Sequence, residues 1–340
     1  MGIRSAFSNN GKTIDNANRI AKILYRVRAY RKIFAHAVLN GVPLKELLIT
    51  QFPFHFKDHA LPPIVSVELT NHCNLECVYC TSPLGLRPRG YMSDETLTSL
   101  ESSLKESRVS RVRIVGNGEA TLHPRFGDFM KRIAQHVKFM SIVTNGQWKD
   151  RKIGQSLVTT PFKVIEISID GITAEEYEST RPGASFERLL DNLHQLRSDR
   201  QHGGSHTRIN IRLMMRPSQM ESQHEYMAFW EKYGDSVMPQ YITRLQETSY
   251  MDSFAPRHTE NHTIPKCSMI FKNLEVKYDG QVLLCGQSYY QHGDGGLELG
   301  NISRDTLHSL WNSPIMKTYR DGHRKRNEAV ISMCRGCQGY

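Results

Sequence analysis

Long apolar segments are absent from this sequence of 340 residues. No stretch approaches the roughly 18 apolar residues that a helix needs to cross a bilayer, and the N-terminus lacks the apolar core of a secretory signal. Met1-Gly2 is like the start of a myristoylation signal, but Ala6 stands where that signal has Ser or Thr. We therefore expect a soluble, cytoplasmic protein.

The sequence also lacks an even number of cysteines. Its seven cysteines argue against a simple disulfide framework and fit a reducing compartment. They fall into two sets, three within eight consecutive residues and four after position 266. Each set therefore needs a chemical explanation of its own.

Acidic residues are scarce in the first sixty positions, which hold ten Lys and Arg against three Asp and Glu. About seven of the ten excess positive charges of the chain lie there. Apolar residues at helical spacing over 14–40 predict an amphipathic helix with one basic face, ending near Asn40-Gly41. We expect residues 1–60 to be a helical extension that packs as a cap or makes peripheral contact with a membrane. A nucleic-acid partner is not expected.

The first cysteine set, Cys73, Cys77 and Cys80, has the spacing C-x3-C-x2-C and follows a β-branched apolar run over 64–69. Three thiolates on one loop can hold three irons of a 4Fe-4S cluster, which normally takes four thiolate ligands. The fourth iron would then be open to a small molecule. Zinc is the alternative, although zinc sites usually combine a C-x2-C pair with a second pair or with histidines.

This spacing, with Tyr79 before the last cysteine, resembles the signature of the radical S-adenosylmethionine (SAM) superfamily. In that family the open iron binds the amino and carboxylate groups of SAM. Electron transfer then cleaves SAM to a 5'-deoxyadenosyl radical that abstracts hydrogen from the substrate. The resemblance implies that Tyr79 belongs to the cofactor-binding loop.

Apolar runs alternate with helical stretches from residue 63 to about 250, which argues for parallel strands with helical crossovers. The resemblance implies an α/β fold, a partial (β/α)6 barrel over 61–255, with its chemistry at the carboxyl ends of the strands. The predicted strands are 64–69, 109–115, 139–144, 164–169, 209–215 and 241–246. The predicted helices lie near 93–107, 125–137, 149–157, 185–199 and 222–233.

Polar motifs follow three of these strands. Gly116-Asn117-Gly118-Glu119 resembles the family's GGE motif, which implies that Glu119 contacts the amino group of SAM, while its glycines let the backbone approach a ligand. Asn145 ends the third strand, and Ser168 and Asp170 end the fourth, where the family binds the SAM ribose. Arg181 stands at a common family arginine and is a candidate partner for a carboxylate of SAM or substrate. Asn-Gly and Asp-Gly are also ordinary turns, and Arg181 fits a surface salt bridge as well.

The second cysteine set consists of Cys267, Cys285, Cys334 and Cys337. A hairpin with an Asp-Gly turn is predicted over 276–285. Four thiolates complete a site for an iron-sulfur cluster or for zinc.

Residues 256–340 resemble the SPASM/twitch extension of radical SAM enzymes, a small α+β domain that holds an auxiliary 4Fe-4S cluster. A full SPASM domain carries further cysteines, so the resemblance is to the single-cluster twitch variant. The cysteine arrangement is similar to that of the twitch dehydrogenase that oxidises an aminocyclitol alcohol in butirosin biosynthesis. The three-cysteine auxiliary site of the molybdenum-cofactor GTP cyclases is absent.

A fully ligated auxiliary cluster is best suited to electron transfer. We therefore expect oxidation of an alcohol of the sugar or aminocyclitol class, with an electron donor of the flavodoxin or ferredoxin type. Candidate bases are Glu247, at the end of the last barrel strand, and His123. Because the chain has no spare cysteine to quench a substrate radical, oxidation is favoured over epimerisation. The alternatives are a maturase of ribosomal peptides, an epimerase of a sugar and a non-catalytic iron-sulfur carrier. A carrier would need no SAM motifs.

Overall fold

The computed structural model describes residues 58–241, 264, 267–286 and 297–334. The predicted N-terminal helix, Glu247 and Cys337 lie outside these residues. Within them, no helix is long and apolar enough to cross a membrane.

A nine-stranded sheet with the strand order β6-β5-β4-β3-β2-β1-β7-β8-β9 organises the described residues. The strands are β1 (Ile64–Val67), β2 (Arg111–Ile114), β3 (Phe139–Thr144), β4 (Val164–Asp170), β5 (Arg208–Met215), β6 (Ser236–Tyr241), β7 (Asn273–Val276), β8 (Gln281–Leu283) and β9 (Glu298–Asn301). The α-helices are α1 (Asp94–Glu106), α2 (Phe126–Ala134), α3 (Arg151–Thr159), α4 (Ala174–Thr180), α5 (Phe186–His202), α6 (Gln223–Trp230), α7 (Leu307–Trp311) and α8 (Pro314–Lys325). The first six strands are all parallel and lie in sequence order, which is the predicted partial barrel.

The two faces of this sheet differ in polarity. Parallel strands in sequence order with right-handed crossovers place all the crossover helices on one face. That face is apolar and fully buried, as at Val67, Ile142 and Ile167, which have no exposed surface. On the other face, polar residues such as Ser168 and Arg212 remain partly exposed. We call this second face the lumen of the partial barrel.

The sixth strand spans Ser236–Tyr241 and begins five residues before the predicted segment 241–246, of which only Tyr241 lies in the described residues. Pro239 weakens the strand pattern of Ser236–Tyr241, because proline cannot donate a hydrogen bond to a neighbouring strand. β6 is the edge strand of the sheet, where a proline is tolerated.

Helix α4 was not predicted, because its seven residues are too few and too polar to show a period. Its start is capped by Thr173, whose side chain accepts a hydrogen bond from the amide of Glu176.

The C-terminal part continues the same sheet. β7 pairs in parallel with β1 and then turns back into β8, which confirms the predicted hairpin. Its turn at Asp279-Gly280 needs glycine, because Gly280 has φ of 82°. The amide of Leu307, at the start of α7, donates to Ser103 Oγ of α1 at 2.7 Å.

Candidate active site

The cysteine loop leaves the carboxyl end of β1 and lies against the segment that follows α4. The amides of Glu76 and Val78 donate to the carbonyls of Pro182 and Thr180, each at 3.0 Å. Gly183 has φ of 90°, and a Cβ added there would lie 3.0 Å from the Asn74 carbonyl oxygen. The backbone of the fourth β/α unit therefore fixes the course of the loop.

None of the three cysteines of this loop forms a disulfide, and each is half-buried. Burial raises the pKa of Cys73 to about 11 and of Cys77 to about 12, while the charge of Arg181 acts in the opposite direction on both. Metal ligands must be thiolates, so a bound cation would supply the charge that burial withholds. Cys80 Sγ already accepts a hydrogen bond from the amide of Ser82 at 3.3 Å.

This loop fits an iron-sulfur cluster in its donor chemistry. In the part of the chain that the structure describes, no three His, Cys, Asp or Glu side chains gather around one point as ligands of a single metal ion would. A 4Fe-4S core is larger, and its thiolate ligands bind separate irons. The Nε of Arg181 is buried, and no described residue accepts its proton. A cluster or a bound carboxylate beside it would supply an acceptor.

Asp170 and Arg181 are paired with each other at the end of β4. Arg181 Nη2 lies 2.8 Å from Asp170 Oδ1, and both side chains are only 4% exposed. Tyr79 donates its hydroxyl proton to the same carboxylate, with oxygen distances of 3.0 and 2.8 Å. Neither residue therefore projects freely toward a ribose or a carboxylate as the sequence suggested. We interpret the pair as holding Tyr79 and the cysteine loop in place.

Glu119 is buried, and its carboxylate is well supplied with donors. Oε1 accepts from the Thr121 and Thr144 hydroxyls at 2.7 and 2.8 Å and from the Thr121 amide at 3.2 Å. Oε2 accepts one bond, from the amide of Asn145 at 2.7 Å, which leaves it able to accept another. Burial raises the pKa of Glu119, although these donors act in the opposite direction. A contact with the amino group of SAM through Oε2 stays a prediction.

Asn145 joins the third strand end to the cysteine loop. Its Nδ2 donates to Asn74 Oδ1 at 2.8 Å, and its Oδ1 accepts from the amide of Gln147. Asn74 Nδ2 in turn donates to the Gln147 carbonyl at 3.1 Å. The side chain of Asn145 is thereby used in protein contacts.

The glycines of the second-strand loop are required by close packing. A Cβ on Gly118 would lie 2.5 Å from the carbonyl oxygens of Thr70 and His72, and one on Gly116 would lie 2.4 Å from a side-chain carbon of Glu68. Such distances are too short for any other residue. The loop over 116–119 is therefore pressed against the chain that leads into the cysteines.

Glu68, which sequence reasoning missed, anchors a buried group of charges next to this loop. Its side chain has no exposed surface, and it meets Arg87 at 2.6 Å and Lys277 at 3.6 Å. It also accepts a hydrogen bond from the amide of Asn117 at 3.0 Å. Burial would raise the pKa of Glu68, but Lys277 and Arg87 outweigh it and the pKa is lowered. An acidic residue at the end of an apolar strand was the available signal.

Ser168 is the predicted site residue that stays open. It lies on the lumen face of β4, is partly exposed, and its hydroxyl makes no hydrogen bond to a described residue.

The candidate base His123 is buried, and both of its ring nitrogens make hydrogen bonds. Its Nε2 lies 2.9 Å from the Met92 carbonyl and its Nδ1 accepts from the amide of Arg125 at 3.2 Å. With both ring nitrogens bonded, His123 is a poor candidate for the base.

Three of the four C-terminal cysteines lie in the described residues, and all three are half-buried and form no disulfide. Cys285 follows β8, and Cys334 Sγ lies 3.4 Å from Nε2 of the buried His323. Thiols contributed by distant segments of one small domain fit a cluster or a metal ion in their chemistry.

A partial barrel of parallel strands with three cysteines on the loop after its first strand is typical of one class of iron-sulfur enzymes. The model of the radical SAM superfamily matches residues 67–226, and the SPASM model, an iron-sulfur cluster-binding domain, matches residues 267–338. The chain therefore carries a radical SAM domain followed by a SPASM domain. Both resemblances seen in the sequence are thereby confirmed.

The curated relatives include a maturase. The chain is 28% identical over 230 residues to the mycofactocin maturase MftC of Mycobacterium tuberculosis (strain CDC 1551 / Oshkosh), covering 67% of this chain and 55% of the relative. The chain thus spans about half the length of the curated relatives it matches.

Two solved structures share the fold. BtrN, in complex with AdoMet and 2-DOIA, superposes with a TM-score of 0.54 at 16% identity, covering 83% of this chain and 94% of BtrN. Streptococcus suis SuiB, bound to the precursor peptide SuiA, superposes with a TM-score of 0.58 at 14% identity, covering 78% of this chain and 68% of SuiB. At these identities the likeness concerns the fold alone.

The radical SAM domain implies SAM and a 4Fe-4S cluster as cofactors, and the SPASM domain implies auxiliary iron-sulfur binding. We assign the first cluster to Cys73, Cys77 and Cys80 as a proposal. We likewise propose that Cys267, Cys285, Cys334 and Cys337 hold the auxiliary cluster.

Proposed function

We propose that this radical SAM enzyme oxidises an alcohol on a small polar substrate of the sugar or aminocyclitol class. The observation that supports this most directly is the polar lumen beneath the cysteine loop. Ser168 and Arg212 are Cα partners across β4 and β5, and both side chains lie on this face and are partly exposed. A lumen lined in this way suits a substrate with several hydroxyl groups.

The bound cofactors would supply a hydrogen-abstracting radical at the first cluster and an electron acceptor at the auxiliary cluster. The residues of the chain bind, orient and enclose the substrate. Ser168, whose hydroxyl makes no hydrogen bond to a described residue, is our candidate to hold a substrate hydroxyl or the SAM ribose. The Asp170–Arg181 pair fixes Tyr79 and through it the loop that presents the cluster.

Isotope transfer during turnover tests this proposal. The full chain, reconstituted without oxygen and given SAM and a reductant, is incubated with sugars and aminocyclitols that carry deuterium at each carbinol carbon. We expect one deuterium to appear in 5'-deoxyadenosine and the product to have lost two hydrogens. The variant with Cys73, Cys77 and Cys80 changed to Ala should form no 5'-deoxyadenosine.

The role of the auxiliary cluster is tested by Cys334→Ala. We expect this variant to cleave SAM but to yield little ketone, because the electron from the substrate radical has no acceptor. Unchanged ketone yield would refute the acceptor role. Deuterium transfer followed by a redox-neutral product would refute oxidation while leaving the radical chemistry in place.

A peptide maturase is the second candidate, favoured by the names of the relatives. MftC is named a maturase, and SuiB was solved with a precursor peptide. A synthetic precursor peptide offered under the same conditions distinguishes the two candidates. A peptide product formed with one equivalent of 5'-deoxyadenosine, and no turnover of any carbinol, would favour the maturase.

A further inference from the structure

Three charged side chains from different strands meet on the lumen face. Arg113 of β2 and Arg212 of β5 both bind the same oxygen of Glu166 on β4. The distances to Glu166 Oε2 are 2.6 Å from Arg113 Nη2 and 2.7 Å from Arg212 Nη1. Two guanidinium groups against one carboxylate leave this trio with one net positive charge.

The trio crosses the lumen. Arg113 reaches Glu166 over the intervening strand β3, where its Cα partner is the small residue Ser141. Strands lie about 4.8 Å apart, so β2 and β4 are separated by about 10 Å, within the reach of an extended arginine. Glu166 precedes Asp170 by four residues, which places it about 13 Å below the strand end at about 3.3 Å per residue. The trio therefore lies at the floor of the lumen.

The hydrogen-bonding capacity of Arg113 is largely unused. Its Nε is buried and has no acceptor among the described residues, and its only bond there is the one to Glu166. Its side chain keeps 30% of its surface exposed, on the lumen face. Arg212 is oriented more firmly, because its Nε and Nη2 both donate to Gln240 Oε1, at 3.1 and 2.6 Å. A preoriented guanidinium with free N–H groups matches the planar oxygens of a carboxylate or a phosphate.

We propose that Arg113 and Arg212, which both bind Glu166, form a subsite for an anionic group of the substrate, either a carboxylate or a phosphate. This inference rests on the proposed function, in which the substrate occupies the lumen. The anion would lie at the floor, and the hydroxyl-bearing part of the substrate would extend past Ser168 toward the cysteine loop. The net charge of the trio selects an acidic substrate over a neutral one.

A purely structural trio that only closes the barrel floor is the competing explanation, and Glu166→Gln separates the two. If the trio binds an anion, removing the carboxylate raises its net charge and tightens anion binding. If the trio is purely structural, neither the native chain nor Glu166→Gln binds the anion.

The test uses the full chain, reconstituted with iron and sulfide without oxygen. The probes are inorganic phosphate, acetate and neutral glucose, and binding is followed by NMR line broadening with and without SAM. We expect phosphate or acetate to broaden at least threefold more than glucose. Broadening should fall at least threefold in Arg113→Gln and Arg212→Gln, fall partly in Arg113→Lys, and rise in Glu166→Gln. Arg151→Gln, whose side chain is 65% exposed, is the matched control and should behave like the native chain.

The two anions distinguish the sources, since phosphate alone would indicate a phosphorylated substrate and acetate alone a carboxylic acid. Equal broadening by all three probes would overturn the proposal, and so would an unchanged signal in Arg113→Gln. Loss of anion binding on addition of SAM would assign the arginines to the SAM carboxylate and overturn it as well. Because none of these measurements needs turnover, they can succeed even if alcohol oxidation is refuted.

Discussion

The guanidinium of Arg181 lies 2.8 Å from the carboxylate of Asp170, in a position where almost none of either side chain reaches solvent. The pair connects the end of β4 to the cysteine loop, because Tyr79 donates to the same carboxylate. Two residues that the sequence assigned to ligand binding thus contact each other and the loop that carries the three cysteines. Their contribution is measurable separately from SAM binding.

Asp170→Asn should weaken this connection. The variant leaves the Arg181 charge buried without its partner. Breaking a buried ion pair in this way costs about 3 to 5 kcal/mol. We expect a lower free energy of unfolding and fewer irons per chain, measured by denaturant titration and metal analysis. Asp94→Asn, at an exposed ion pair with Arg132, should change the stability by less than about 1 kcal/mol. Equal effects of the two changes would contradict the positioning role.

Glu119→Gln replaces an acceptor by a group that is partly a donor. The two carboxylate oxygens of Glu119 now accept four hydrogen bonds. In glutamine an amide nitrogen replaces one of these oxygens and faces either the Thr144 hydroxyl or the Asn145 amide, at a cost of about 1 to 3 kcal/mol. We expect weaker SAM binding, measured by calorimetry on the reconstituted protein. Glu76→Gln, an exposed position of the cysteine loop, should leave SAM affinity unchanged. An unaltered affinity in Glu119→Gln would count against the contact with the SAM amino group.

Gly118→Ala tests the close packing of the second-strand loop. The added methyl group would lie 2.5 Å from backbone carbonyl oxygens, which cannot move aside as a side chain can. We expect the iron content to fall by at least half, because the residues leading into Cys73 must shift. Gly127→Ala, in α2, meets only the Ser156 hydroxyl at 3.2 Å and should keep its iron. Full iron content in Gly118→Ala would show that the loop tolerates displacement.

Glu68→Gln should destabilise the protein in a pH-dependent way. The pKa of Glu68 is lowered in the folded state, so its stabilising contribution is complete above the usual value of 4.5 and is lost as the pH falls through the folded value. At pH 7 the change removes the buried carboxylate that Arg87 and Lys277 share and leaves them with Asp279 and Glu275 as partners, at a cost of up to about 3 kcal/mol.

Chemical unfolding of the native chain and the variant at pH 7 and pH 4 measures this effect. We expect the difference in unfolding free energy to shrink at the lower pH. Asp279→Asn removes the more exposed partner of Arg87, at 3.3 Å, and should cost less than about 1 kcal/mol at either pH. A difference for Glu68→Gln that stays constant with pH would contradict the lowered pKa.

Features encoded within a short stretch of sequence were predictable. The spacing of Cys73, Cys77 and Cys80 and the Asp279-Gly280 turn depend on adjacent residues, so the sequence alone identified them. Strands β1 to β5 were found because their buried faces are continuous and β-branched. The start of strand β6 at Ser236 was not predicted, because the effect of Pro239 depends on whether a strand lies at a sheet edge, which is a tertiary property.

Side-chain partners across strands were not predictable. The assignment of Arg181 and Asp170 to ligands overlooked their mutual pairing, since they are separated by eleven positions and a helix. The meeting of Arg113 and Arg212 on Glu166 requires the curvature of four strands. Charged residues at alternate positions of an apolar strand indicated a polar face in the sequence. The sequence did not indicate which residues would pair with them.

The continuity of the sheet has a consequence for the SPASM domain. Strand β1 is flanked by β2 on one side and by β7 on the other, so the domain that follows the barrel also completes its first strand. A truncated chain ending before β7 would expose the amide and carbonyl groups of β1, the strand that carries the cysteine loop. Such an unpaired edge recruits other chains and promotes aggregation. The SPASM domain is therefore not a detachable module, and loss of its strands would impair the solubility of the barrel before it affected any electron transfer.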